Sequence, residues 1–155
     1  MTNNDILRRL RFVFDFNNAK MIRKFAKVKH EMTSEQLIDL LKKEDEEGFT
    51  PCDDTTLCRF LDGLIISKRG LKTGAEIPEP LERMNNNMIF KKLRVALELR
   101  EEDITSLLAS VDMPMTKSEL SALFRNPQHK NFKICGDQVL RNFLNGLSLK
   151  HRGKA

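Results

Sequence analysis

Between residues 4 and 16 the apolar positions are Ile6, Leu7, Leu10, Val13 and Phe14, a spacing that gathers one stripe on a helix. Asn4 is read as the N-cap of this first helix. A second helix is predicted over about 19–28, with Met21, Phe25 and Val28 inward. Thr33 followed by Gln36 forms a capping box that opens a third, whose apolar face is Leu37, Leu40 and Leu41. A fourth begins at Asp54 as an acidic N-cap and carries Leu57, Phe60, Leu61 and Leu64. Arg69-Gly70 suits a left-handed stop with a cation near the negative end of the helix.

The same pattern then runs again. Residues 3–70 align without a gap on 86–153, with 21 identities in 68 positions. Met32-Thr33 meets Met115-Thr116, FLDGL (60–64) meets FLNGL (143–147), and Arg69-Gly70 meets Arg152-Gly153. Asn87, Asp137 and Gly153 take the capping roles of Asn4, Asp54 and Gly70, and Thr116 with Glu119 repeats the capping box. The third helix of this copy is expected to end at Asn126-Pro127, because proline cannot continue it. Residues 71–85, with Gly74, Pro78 and Pro80, read as a connector that cannot be helical throughout. Each short amphipathic repeat would leave apolar surface exposed. The expectation is therefore an all-α protein, its two tandem four-helix repeats packed as one compact eight-helix body.

Positions kept in both copies are mostly those the fold requires. Glycine inside a helix costs about 1 kcal/mol relative to alanine, so Gly63 and Gly146 imply a neighbouring backbone at close range. Cys52 and Cys135 hold equivalent places and read as small buried hydrophobes, since a reactive thiol needs an activating cation. The three cysteines contain no CxxC pair, and His30, His129 and His151 have no histidine at the matching positions. No metal, cofactor or catalytic residue is assigned. The acidic run Glu44–Glu47 spreads around a helix end instead of converging, and no phosphate loop or nucleophile motif is present, so the chain is read as not an enzyme.

Charge narrows the partners. Lys and Arg against Asp and Glu give +2 for residues 1–72 (14 against 12), −2 for 73–85 (1 against 3) and +5 for 86–155 (12 against 7). Basic triplets open both copies, and Arg8, Arg9, Lys91 and Lys92 form their outward faces. The second and third helices resemble a helix-turn-helix with too long a turn; in the second copy Arg125, His129 and Lys130 follow the would-be reading helix. These seven residues are the candidate partner or nucleic-acid contacts. Lys43–Glu47 corresponds to Asn126–Lys130 with opposite sign, a pattern that decorates a surface or guides head-to-tail self-association. No apolar run approaches the roughly 18–20 residues needed to span a bilayer, and the N-terminus lacks signal-peptide character, so no membrane partner and a cytoplasmic location are expected.

The segments KKEDEEGF (42–49), FLDGLIISKRG (60–70), NNNMIFKKLRVALEL (85–99) and HKNFKICGDQVLRNFLNGL (129–147) together resemble the YehS-like family. These are uncharacterised bacterial cytoplasmic proteins built from two copies of a domain of unknown function. The resemblance spans nearly the whole chain and implies a helical protein of bacterial origin, with no activity or site residue to carry over. The functional expectation is a non-enzymatic binding module: a protein-interaction or regulatory adaptor, or alternatively a nucleic-acid-binding protein using the basic faces above.

Overall fold

The structure is a computed structural model and is described over residues 1–152. Among these residues it has eight α-helices and no strand. They are α1 (Asn3–Phe14), α2 (Asn18–Ala26), α3 (Ser34–Leu41), α4 (Asp54–Arg69), α5 (Asn86–Leu97), α6 (Glu101–Ala109), α7 (Lys117–Phe124) and α8 (Asp137–His151). The chain divides into two compact units, one from Met1 to Met84 and one from Asn85 onward, so each has four helices. The connector belongs to the first unit as far as Met84, and its last residue, Asn85, to the second. Thr55 Oγ1 donates to the Leu81 carbonyl at 3.3 Å, the Leu81 amide donates to Cys58 Sγ at 3.3 Å, and the Met84 amide donates to Asp54 Oδ2 at 2.9 Å.

The apolar stripes become the cores. Ile6, Leu7, Leu10, Met21, Phe25, Leu37, Leu57, Phe60 and Leu64 are buried in unit 1, with Ile89, Phe90, Leu93, Ile104, Leu108, Leu120, Leu140, Phe143 and Leu147 in unit 2. Two positions exchange their residues between the units. Leu7 and Phe25 in unit 1 correspond to Phe90 and Leu108 in unit 2. Phe60 of α4 accordingly meets the ring of Phe25 on α2, at 5.6 Å between centroids. Its counterpart Phe143 on α8 stacks on Phe90 of α5 at 4.1 Å. One core ring has changed helix while the leucine moved the other way.

Gly63 and Gly146 mark a close helix crossing in each unit. A Cβ on Gly63 would overlap the carbonyl oxygen of Lys24 on α2, and one on Gly146 would stand 2.8 Å from the Leu107 oxygen on α6. The requirement for glycine is steric, imposed by the facing backbone.

Several caps differ from the sequence expectation. Asn4 and Asn87 do not cap; Thr2 caps α1 in a capping box with Asp5, and Asn85 caps α5. Asn4 instead is buried, and its amide group brackets the loop before α4. Nδ2 donates to the carbonyls of Leu40 at 2.8 Å and Thr50 at 2.9 Å, while Oδ1 accepts from the Cys52 amide at 3.0 Å. Asn87 makes the same three bonds, to Leu123, Lys133 and Cys135, each at 2.9 Å. Asp54 and Asp137 are likewise inside their helices; Asp53 caps α4 through the Thr56 amide, and Gly136 precedes α8. Asp54 and Asp137 accept from Asn3 and Asn86 at 2.7 and 2.8 Å. The paired asparagines of each repeat thus tie a long irregular loop to its first helix, satisfying backbone groups that a loop cannot satisfy itself.

The capping boxes at Thr33 and Thr116 form as expected. Helix α7 stops at Phe124, before Asn126-Pro127, but α3 stops at the equivalent Leu41 with no proline following. The stop therefore belongs to the unit, through the carbonyls that Asn4 and Asn87 draw toward α1 and α5. Gly70 has φ 76° and ψ 171°, a positive φ with extended ψ instead of the left-handed helical pair, and its amide reaches the Ile66 carbonyl at 2.7 Å. Gly153 lies outside the described residues.

Candidate functional site: a cationic seam on unit 1

The crossing at Gly63 sets α2 against α4, and the outward side of that seam is strongly basic. Lys20, Arg23, Lys24, Lys27 and Lys29 fall in residues 16–30 with no acidic residue among them. Lys24 Nζ donates to Ser67 Oγ on α4 at 2.9 Å and stands 4.9 Å from the centroid of Phe16. Lys68, next on α4, places its ammonium 5.4 Å from the Phe14 ring, and the two rings stack at 5.3 Å. Burial pushes the Lys24 ammonium below its ordinary pKa, and the charges of Lys68, Arg23, Lys27 and Lys20 push it further the same way. All four named charges repel it. Lys20, Arg23, Lys27 and Lys68 are exposed, and Lys24 is half-buried.

Unit 2 builds the same seam with opposite character. Lys20, Arg23, Lys24 and Lys27 correspond to Asp103, Ser106, Leu107 and Ser110, and α6 opens with Glu101-Glu102-Asp103. Beside Gly146 these short side chains leave a cleft of about 330 Å3 that also touches Leu149 and Lys150. Arg100 lies 3.6 Å from both Glu102 and Asp103, so the acidic turn carries its own cation. The scaffold is shared; the charge is not.

The residues singled out from sequence are dispersed. Arg8 is half-buried, donates to the Lys42 carbonyl at 2.7 Å and pairs with Asp5, which makes it a brace between α1 and the end of α3. Arg9 and Lys92 are half-buried, and Lys91 is exposed. Arg125 donates to the Asn131 carbonyl at 3.1 Å and His129 Nδ1 accepts from the Asn131 amide at 3.0 Å, so both shape the loop that also carries exposed Lys130. The turns between α2 and α3 and between α6 and α7 each span seven residues, 27–33 and 110–116, well beyond the 3–4 of a helix-turn-helix. The acidic loop 43–47 and its counterpart hold similar turns despite the opposite charge: Glu46 Oε1 accepts from the Lys43 amide, and Asn126 Oδ1 from Gln128.

The α2 cations are within reach of the sequence. Summing charge over residues 1–72 dilutes them with the acidic run at 44–47, whereas a window one helix long isolates them.

The thiols are sequestered. Burial raises the Cys52 pKa to about 12, helped by the charges of Asp53 and Asp54, and raises that of Cys135 to about 11, helped by Asp137. A second recess, about 600 Å3, lies between His30, Arg59 and the connector around Ile77, Pro78 and Pro80. Burial lowers the His30 pKa, with Arg59 adding to the effect and Asp53 opposing it. Among the described residues no group of three or more His, Cys, Asp or Glu side chains is placed to hold a metal, and no helix is long and apolar enough to cross a membrane.

Two four-helix units with the same asparagine brackets and the same glycine crossing define a tandem-repeat helical protein. The chain belongs to the family of proteins of unknown function DUF1456, whose profile matches residues 3–70 and again 86–153. It is 45% identical over 154 residues to the uncharacterised protein YehS of Escherichia coli strain K12, covering 99% of each chain. No solved structure matches.

Proposed function

We propose that the chain is a non-enzymatic binding module that takes a nucleic acid on the α2–α4 face of unit 1. The observation that carries this reading is the run Lys20, Arg23, Lys24 and Lys27 along α2, tied to α4 by the Lys24–Ser67 bond beside Lys68, with no acidic residue in 16–30. A cluster that repels itself costs stability in isolation and is relieved by an anion that spans it. Phosphates spaced along a strand do so without the apolar core that a protein partner ordinarily supplies. Sequence features common to both repeats do not compete for this role, because Asn3, Asn4, Gly63 and their counterparts are engaged in holding the fold. We favour a polyanion over a protein-binding adaptor as the partner, and the α2 cations over the α1 basic face as its contact.

The test is anisotropy of labelled DNA and RNA at two salt concentrations, with Lys20→Glu, Arg23→Glu and Lys27→Glu combined in one variant. Binding should be lost in the variant, and for the parent it should fall steeply with salt, by about 0.7–0.9 in log–log slope for each phosphate contacted. No binding at low salt sinks the reading. A protein partner that stays bound after nuclease digestion, and is released by the same variant, would assign the face to an acidic protein instead.

A further inference from the structure

We infer that the nucleic acid is held as a single strand, with bases against the Phe14–Phe16 pair and phosphates on Lys24 and Lys68. This rests on the reading above and specifies its partner. The end of α1, the turn after it, α2 and α4 converge on one spot: two stacked rings at 5.3 Å, with an ammonium 4.9 Å from one centroid and 5.4 Å from the other. Phe14 and Phe16 are half-buried residues, and Phe12 in the same last turn of α1 is 57% exposed; a base would take the place of one of the two ammonium groups over the rings. Unit 2 serves as an internal control. Its residues at the four places are Leu97, Leu99, Leu107 and His151, so the repeat is built there without a phenylalanine or a lysine. Aromatic rings beside cations, present where packing alone accepts leucine, are what base stacking next to a phosphate backbone requires. A duplex hides its base faces and would gain only from the charges.

Three probes separate the terms: a short labelled single strand, a duplex of the same base composition, and inorganic polyphosphate as competitor. The single strand should bind more tightly than the duplex at equal salt. Phe14→Leu with Phe16→Leu, the residues unit 2 itself carries, should weaken the single strand by about tenfold or more and leave polyphosphate competition unchanged. Lys24→Gln should weaken all three. If the double variant melts early, Phe16→Leu alone replaces it. In the parent, photocrosslinking of a bromouridine-containing strand should map to the peptide spanning residues 12–24. A duplex bound as tightly as the strand, an unaffected leucine variant, or crosslinks confined elsewhere would overturn the single-strand inference while leaving the cationic face standing. Failure of all three probes at low salt would remove both.

Discussion

The backbone carbonyl of Lys24 rests directly on Gly63, with no room between them for even a methyl group. This crossing brings the cationic side of α2 over α4. In an open helix Gly→Ala gains about 1 kcal/mol. Here overpacking of about 1–3 kcal/mol opposes that gain, so Gly63→Ala should lower the melting temperature and Gly63→Leu should prevent folding. At Gly146 the facing oxygen is 2.8 Å from the added carbon, and Gly146→Ala should be the milder change. Thermal melts of the two alanine variants check the order; a stabilised Gly63→Ala would contradict the crossing.

Removing an asparagine bracket should be costly. Asn4→Ala leaves the buried Leu40 carbonyl and Cys52 amide, and the part-buried Thr50 carbonyl, without their partner. Each buried group left unsatisfied costs about 1–3 kcal/mol, so the Leu40 carbonyl and the Cys52 amide together give an expected loss on the order of 2 kcal/mol or more. Denaturant unfolding measures it, and Asn87→Ala, whose bonds are less buried, should cost unit 2 less. The substitution Asn4→Asp would keep the acceptor and lose both donated bonds, so it should not rescue.

What the sequence makes legible follows from distance along the chain. The stripe Ile6, Leu10, Val13 and the box Thr33–Gln36 are local patterns, and both form as expected. Asn4 stands near a helix start and invites the usual local role, whereas its partners lie 36–48 residues away. Nothing in the spacing of Asn4 points to Leu40. The repeat does offer a hint, since an N-cap rarely needs two adjacent asparagines, and both copies carry them. For the candidate face, the charges are visible on α2, but the placement of Phe14, Phe16 and Lys68 around Lys24 depends on how three helices meet.

Acid should unfold the protein by a definite route. The Thr2 amide holds the Asp5 carboxyl below its ordinary pKa, and Thr56, Arg100 and Thr116 do the same for Asp53, Asp103 and Glu119 through hydrogen bonds at helix starts. Each group is depressed in the folded state. Its contribution is present above the unfolded carboxylate range of about 4 and is lost as pH falls through the lower folded value. Melting temperature should drop below about pH 4. Changing all four to the amides (Asp5→Asn, Asp53→Asn, Asp103→Asn, Glu119→Gln) should flatten that drop; an unchanged acid profile would place the sensitivity elsewhere.

The thiols should ignore alkylating reagents. With Cys52 pushed up to about 12 and Cys135 to about 11, almost none of either is thiolate at pH 8. Iodoacetamide followed by peptide mass spectrometry should find both unmodified in native protein and labelled after denaturation. Rapid native labelling of either would show a loop that opens.

The leucine–phenylalanine exchange in the two cores limits how such a gene can be recombined. A chimera carrying α1 of unit 1 with α6 in place of α2 would have Leu7 and Leu108 around Phe60 and lack a ring. The reverse splice, α5 with α2, would bring Phe90 and Phe25 together against one partner helix. The first leaves a void and the second a clash. Single helices therefore cannot be traded between the copies, and the duplicated copies have become separate lineages inside one chain.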